Sequence, residues 1–530
     1  MPKLVGDLIV EQLVEWGVKN VFGIPGHTCL GLIEAIRKNP NIDLILVRHE
    51  QTASVMASGY AKLTGDVGVC ITIAGPGATN LMTGLYDAKM DRAPVLAITG
   101  QVGLQYIGPG SFQEIDQDAL FEPVSLFNKT INSGEQAVEL VTLALKHAIT
   151  RRGVAHLTVP NDVQVQEVEG EPTPKEGMIA PKEVRPPQAR IERAAKLIGE
   201  AERPVIIAGW GCVGESENLL RFGQKIGAPI ATTFRGKGVI PEDHEYCLGI
   251  LGMVGTPMAR RFVSDADLLI VLGSSFSDLT NIPEKPTVQV DFDPMMLAKR
   301  SPVRLGLLGS MSATLPALTE ACAMKDSNYF SSELSADRQK WFERLEREAD
   351  PSAVPIRPPY IIRMMNELVD DDAVITVDSG DNTFWFGRSF ITKRQRVLLS
   401  GYLGTMAFGF PAAMGAKLAS PDRQVVCVTG DGGFSMAMGD FSTAVKFDIP
   451  AKVIVFNNSE LAMISVEQRS AGYAKYSTEL LNPNFAEFAT SFGGLGVRTE
   501  DPSRLKSDLR QVLEHDGPAL LDVVTDPKRF

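Results

Sequence analysis

Through the first ~160 residues, apolar positions follow two alternating rhythms. Short apolar runs bounded by turn residues, at residues 20–22, 44–47, 67–73, 95–99 and 156–159, have the length and composition of strands. Between them, residues 52–63 and 81–89 carry apolar side chains at helical spacing. At the N-terminus Val5, Leu8, Ile9, Leu13 and Trp16 share one helical face. This alternation predicts βαβ units, and so a parallel sheet with helices on both faces.

The rhythm stops at residues 168–188, where Pro172, Pro174, Pro181, Pro186 and Pro187 lie among charged residues. Such a stretch cannot bury a core and reads as a linker. A second α/β unit follows, with strands expected at 204–208, 229–232, 268–272 and 287–290. Residues 326–359 are charged, then Pro-rich, and mark a second boundary. The third unit has strand candidates at 373–377, 425–428, 453–456 and 520–524. The expectation is an α/β protein of three doubly wound domains with parallel sheets, over residues 1–167, 189–325 and 356–530.

Composition narrows the function. With 44% hydrophobic and 22% charged residues the chain reads as globular. A net charge of −12 argues against nucleic acid, whose binding needs clustered Lys and Arg. No apolar run reaches membrane-span length, and the N-terminus lacks a signal-peptide pattern, so a cytoplasmic location is expected. The six cysteines (Cys29, Cys70, Cys212, Cys247, Cys322 and Cys427) form no CxxC pair; Cys70 and Cys427 read as buried small hydrophobes.

The most informative stretch begins with the β-branched run at 425–428, which meets Gly430, Asp431, Gly432 and Gly433 before a helical segment. In an open parallel sheet ligands bind outside the carboxyl ends of the strands. Glycines there let backbone approach a diphosphate, and a helix start offers amides to it. Asp431 supplies a hard oxygen suited to Mg²⁺. The next strand ends in Asn457 and Asn458, so neighbouring strands deliver Asp431 and Asn458 to one sheet edge. Alone, each motif also reads as a tight turn.

Together, GDGGFSMAMGDF and VIVFNN resemble the thiamine-diphosphate signature of the pyruvate oxidase, acetolactate synthase and pyruvate decarboxylase superfamily. The resemblance implies the thiamine-diphosphate-binding fold, with residues 1–167 holding the pyrimidine and 356–530 the diphosphate. It also implies a Mg²⁺ held by Asp431, Asn458 and the backbone carbonyl of Glu460, with Leu461, Ala462, Met463 and Ile464 lining the cofactor. Leu46 to Glu50, followed by Thr52 and Ala53, resembles the segment ending in the Glu that activates the aminopyrimidine. An isolated Glu there would otherwise read as a helix-start acid. Gly26, Gly75, Pro76 and Asn80 resemble cofactor-side loops, and Phe112, Gln113 and Glu114 the substrate-side FQE segment. Gly404, Thr405 and Met406 match the segment that bends the cofactor. Since the family's cofactor sits between the first domain of one subunit and the third of another, a homodimer or homotetramer is implied.

Gly209, Gly211 and Gly214 form a GxGxxG that suggests a dinucleotide dehydrogenase, or simply a packing turn. Residues 232–237 are basic where that fingerprint expects an acid on the ribose. The resemblance offers FAD instead, through Gly252, Met253, Val254, Gly255, Gly273, Ser274, Ser275 and Phe276; some relatives leave this domain empty or fill it with another nucleotide.

The family's enzymes decarboxylate a 2-oxo acid and differ in what captures the product. Glu467 stands where biosynthetic acetolactate synthases usually have Trp, and the run through Tyr473 and Phe485 looks closer to the quinone-dependent pyruvate oxidases. The chain stops at Phe530 without their amphipathic anchor. The expectation is therefore a pyruvate-oxidase-like decarboxylase acting on a 2-oxo acid such as pyruvate. The alternatives are an acetolactate-synthase-type carboligase or a non-oxidative decarboxylase. His27 departs from the commoner relatives at a strand-end loop; an imidazole there could transfer protons or bind a carboxylate, or merely cap a helix at the surface.

Overall fold

The computed structural model describes residues 3–528. Three six-stranded sheets, parallel throughout, organise the chain. The first contains β1 (Asn20–Gly23), β2 (Asp43–Leu46), β3 (Gly68–Thr72), β4 (Val95–Gln101), β5 (Phe127–Thr130) and β6 (Val154–Pro160), in the order β2-β1-β3-β4-β6-β5. The second contains β7 (Pro204–Ala208), β8 (Ile230–Thr232), β9 (Cys247–Ile250), β10 (Leu268–Leu272), β11 (Thr287–Asp291) and β12 (Leu305–Leu308), ordered β9-β8-β7-β10-β11-β12. The third contains β13 (Val374–Val377), β14 (Arg396–Leu399), β15 (Val425–Gly430), β16 (Lys452–Asn457), β17 (Leu495–Thr499) and β18 (Ala519–Val524), ordered β14-β13-β15-β16-β18-β17. Helices cover both faces, so central strands such as β3, β10 and β16 are buried along their whole length and need continuous apolar runs.

Five strands of these three sheets have no counterpart in the sequence pattern: β5, β9, β12, β14 and β17. All five lie at sheet edges. An edge strand pairs on one side only, so sequences such as FNKT and LGVRT satisfy it without an apolar run.

The two boundary segments differ. Residues 169–187 contain no helix or strand, but they are pinned to the first domain at Thr173. Its carbonyl accepts from Gln12 Nε2 and Trp16 Nε1, both at 2.9 Å, and its N–H donates to Gln12 Oε1 at 2.7 Å. Within 326–359 stands an 18-residue helix, Ser331–Glu348, whose Leu334 and Trp341 are buried against the middle domain while its charges face solvent.

The first and third domains share one hydrophobic core, running from Phe22 and Met56 to Phe408, Phe410 and Phe434. Its axis is the crossing of helices Glu50–Thr64 and Gly409–Ala419. A Cβ at Gly59 would lie 2.7 Å from Ala412 Cα, and one at Gly415 2.2 Å from the Met56 carbonyl oxygen. Those glycines set the close approach that orients Glu50, at the head of the first helix.

Candidate active site

The third-domain candidates converge on a cavity of about 210 Å³ at the carboxyl ends of β13, β15 and β16. Gly404, Met406, Gly430 to Gly433, Asn458, and Glu460 to Ile464 all line it. Thr405 does not; its N–H donates to Ser400 Oγ at 3.1 Å, closing the neck of the loop that carries Gly404 and Met406. The glycines earn their place by space: a Cβ at Gly433 would lie 2.6 Å from Asp378 Oδ2, and one at Gly432 3.2 Å from Met406 Cε.

Asp431 is 2% exposed. Its Oδ2 accepts from the Ser459 N–H at 2.7 Å and from Asn482 Nδ2 at 2.6 Å. Burial pushes its carboxyl up to about 6 against those hydrogen bonds. Asn458 Oδ1 accepts from the Glu460 N–H at 3.0 Å, and the Glu460 side chain is taken up by Lys475 at 3.0 Å. Asn457 turns the other way, to Asp522 at 2.8 Å.

Three residues that the sequence did not single out complete this half. Asn482 bridges Asp431 and Asn457. Asp378, fully buried after β13, accepts from Thr429 Oγ1 and from the N–H groups of Ser379 and Phe408; burial pushes its carboxyl up to about 6. Asn382 lines the cavity, and its Oδ1 is buried without a hydrogen-bond partner among the described residues. The result is the Asp431 carboxylate beside several neutral oxygens and a glycine-lined floor, with the other two lining carboxylates taken up elsewhere, Asp381 by Trp385 Nε1 and Glu460 by Lys475. That donor set fits Mg²⁺ shared with a diphosphate better than zinc.

The first-domain candidates gather beyond the ends of four adjacent strands, β2, β1, β3 and β4. Glu50 opens its helix and is 9% exposed, and Asn80 Nδ2 donates to its Oε2 at 2.9 Å. The loops after β1 and β3 are tied by the Ala74 N–H to Thr28 Oγ1, 2.9 Å. Gly26 needs its missing side chain, since a Cβ would meet Ile73 Cγ2 at 2.2 Å. Pro76 starts the short helix that leads to Asn80. Gln113 has φ 63°, and its Oε1 is buried without a partner among the described residues. It faces Gly75, at φ 64°, where a Cβ would lie 3.0 Å from Gln113 Cβ. Backbone strain and an unsatisfied amide in one loop point to a functional constraint. His27 is exposed and stacks on Phe112, which is 79% exposed, with ring centroids 6.0 Å apart. No first-domain residue lines the third-domain cavity.

The middle domain carries a cleft in two parts. The outer part, about 550 Å³, is lined by Gly211, Gly273, Ser275, Asp291 and the cations Arg92, Arg152, Lys182 and Lys299. The inner part, about 140 Å³, is lined by Met253, Val254, Gly273, Ser274 and Ser275, and ends at Met463, which also lines the third-domain cavity. Gly209, Gly252, Gly255 and Phe276 line neither part; Phe276 turns into the core. The first two glycines of the GxGxxG let two loops meet, since a Cβ at Gly209 or Gly211 would come within 2.7 Å of Gly273 backbone. The helix that follows starts only at Ser216.

The first and third domains are both doubly wound, and each carries its polar set at the strand ends. Comparison with known proteins identifies the class. A model described as the thiamine pyrophosphate enzyme N-terminal TPP binding domain matches residues 3–120, the central domain model matches 191–318, and the C-terminal TPP binding domain model matches 378–523. The thiamine pyrophosphate-containing protein YdaP of Bacillus subtilis (strain 168) is 38% identical over 98% of this chain and 92% of its own length. The acetolactate synthase isozyme 2 large subunit of Escherichia coli (strain K12) is 33% identical over 98% of this chain and 95% of its own. The acetolactate synthase large subunit of Lactococcus lactis subsp. lactis (strain IL1403) is 34% identical over 99% of this chain and 92% of its own. The chain belongs to the thiamine pyrophosphate enzyme family.

Proposed function

We propose that the protein decarboxylates a 2-oxo acid, with pyruvate as the leading candidate, and joins the remaining carbons to a second carbonyl compound. This is a Mg²⁺- and thiamine-diphosphate-dependent carboligation of the acetolactate synthase type. The observation that carries it over the pyruvate-oxidase-like expectation is the full-length similarity to proteins named acetolactate synthase large subunit. Glu467 is exposed on the helix Ala462–Ser470, at the position where biosynthetic acetolactate synthases usually have the Trp that helps select the acceptor.

When bound, thiamine diphosphate supplies the electron sink for the carbon left after CO₂ departs. In this reading Asp431, Asn458 and the Glu460 carbonyl hold the Mg²⁺, and Gly430 to Gly433 make room for the diphosphate. Glu50 holds a proton at N1′ of the aminopyrimidine, and Asn80 fixes that carboxylate by its 2.9 Å hydrogen bond. Gln113 and Phe112 face the substrate, and His27 binds its carboxylate or moves a proton. A cavity of about 210 Å³ falls below the usual range of roughly 300–1,000 Å³ for a ligand site. It is a half-site in this reading, completed by the Glu50 surface of a second subunit in a homodimer or homotetramer.

The middle-domain cleft is read as an FAD site, supported by its basic outer part and by Met463 at its inner end. Among the described residues no helix is long and apolar enough to cross a membrane; a cytoplasmic location belongs to the same reading.

Incubation with pyruvate, thiamine diphosphate and Mg²⁺, with and without an artificial electron acceptor, tests the proposal. Acetolactate formed without acceptor supports it. Acceptor-dependent acetate restores the oxidase reading, and acetaldehyde alone indicates simple decarboxylation. A colourless purified protein without the flavin absorbance rejects the FAD assignment.

A further inference from the structure

Between the middle-domain cleft and the third-domain cavity runs one segment, residues 399–408. Tyr402 lines both parts of the cleft; Gly404 and Met406 line the cavity. The segment is gripped from the first domain by a buried charge cluster. Lys62 Nζ lies 2.7 Å from Asp87 Oδ2 and 2.7 Å from Asp91 Oδ2, and donates to the Leu399 carbonyl at 3.0 Å. Those three partners use all three ammonium hydrogens. Asp91 Oδ2 also accepts from the Gly401 N–H at 2.8 Å. The side chains of Lys62, Asp87 and Asp91 are at most 2% exposed. Arg235, 3.5 Å from Asp91 Oδ1, brings two cations to two carboxylates, so the cluster is neutral.

The far end of the segment meets the same lysine. Phe408 places its ring 4.3 Å from Lys62 Nζ and donates its N–H to Asp378 Oδ1 at 3.2 Å. In between, Ser400 Oγ accepts from the Thr405 N–H, Gly404 has φ 64° and Ala407 φ 65°. Both ends of a strained loop are thus fixed by buried groups. Nothing in the helix packing requires an ion cluster here; an apolar filling of equal volume would serve stability as well.

We propose that Lys62 and Asp91 are positioning residues, which fix the two ends of residues 399–408 and thereby hold Gly404 and Met406 at the cofactor. The proposal rests on the thiamine-diphosphate reading of the cavity. A cluster that only stabilised the fold would change the melting temperature and leave the bound cofactor alone. One that positions Met406 must change the cofactor's reactivity in protein that is still folded.

The test uses full-length Lys62→Met and Asp91→Asn, checked by circular dichroism. The readouts are thiamine diphosphate Kd at saturating Mg²⁺ and the C2 proton exchange rate of the saturated cofactor. Each variant is expected to raise Kd at least tenfold and to slow exchange at least tenfold. Should either fail to fold, Ser400→Ala frees the Thr405 N–H without touching the cluster, and is expected to slow exchange at least threefold. Wild-type Kd and exchange in every folded variant would overturn the proposal while leaving the cofactor reading intact. Wild-type protein that neither binds nor activates thiamine diphosphate would overturn both.

Discussion

The first and third domains repeat one strand order, and each sheet places its polar candidates just beyond the carboxyl ends of its strands. They differ in what they do with that position. In the third domain, Asp431 and Asn458 line a recess floored by glycines. In the first, Glu50 and Asn80 stand beside an open surface carrying exposed His27 and Phe112. In the proposed reading one half receives the cofactor and the other covers it. Topology alone therefore selects the edge where chemistry sits, while side-chain size decides which edge becomes a cavity. The middle domain, with the order β9-β8-β7-β10-β11-β12, makes the same point: its cleft is lined by the loops after β7 and β10, at the switch in strand order.

The sharpest way to break the comparison is to disable each half separately. Glu50→Gln keeps the shape of the covering half and removes its acid. Loss of one proton-transferring group costs about 10²–10⁴-fold, so C2 proton exchange of the bound cofactor should fall into that range while Mg²⁺ binding persists. Wild-type exchange would refute the assignment of Glu50. Asp431→Ala removes the carboxylate assigned to the metal, and thiamine diphosphate affinity should drop on the order of 100-fold, by analogy with the loss of metal-supporting groups. Equal affinity by calorimetry would show that the recess binds something else.

The third-domain half was the more legible in the sequence because its residues are contiguous: GDGG and NN each sit at the end of a β-branched run, and the run itself marks the strand. Central strands were legible for the same reason, and edge strands such as β5 and β17 were not, because one-sided pairing asks little of their side chains. What stayed hidden depends on distant segments meeting. Asn482 follows an unremarkable loop, 51 residues beyond Asp431, and only the fold brings its amide to that carboxylate. Asp378 and Asn382 sit in a segment with no signature, and the helix Ser331–Glu348 hides its two buried anchors among charges. The first two glycines of the GxGxxG answer to the close approach of Gly273, and Gly211 also lines the middle-domain cleft.

A milder perturbation addresses the covering half alone. His27→Ala should lower turnover about tenfold, the lower end of what a positioned proton-transfer or carboxylate-binding group contributes, with cofactor affinity unchanged. Since His27 stacks on Phe112, Phe112→Leu serves as the control that keeps an apolar group while removing the ring contact. Turnover unchanged in His27→Ala would reduce that residue to a surface contact.

The smallest expected effect is a pH dependence confined to the receiving half. Asp378 and Asp431 both have folded carboxyls pushed up to about 6 by burial, from an ordinary 3.8. With pKa raised on folding, the native state holds protons that the unfolded state has released between those values, so stability falls as pH rises from about 4 through about 6. A shift of this size corresponds to roughly 1–3 kcal/mol per group, or a few degrees of melting temperature for a domain of this size. Melting of the cofactor-free protein across that window should show the decline. Asp378→Asn should remove part of it. Saturating Mg²⁺ and thiamine diphosphate should remove the part due to Asp431, because a metal that binds only the ionised carboxylate compensates the cost of ionising it. A melting temperature flat in pH for the cofactor-free protein would mean that burial does not raise these carboxyls, and a decline that Mg²⁺ and cofactor leave untouched would mean that Asp431 is not the group that meets the metal.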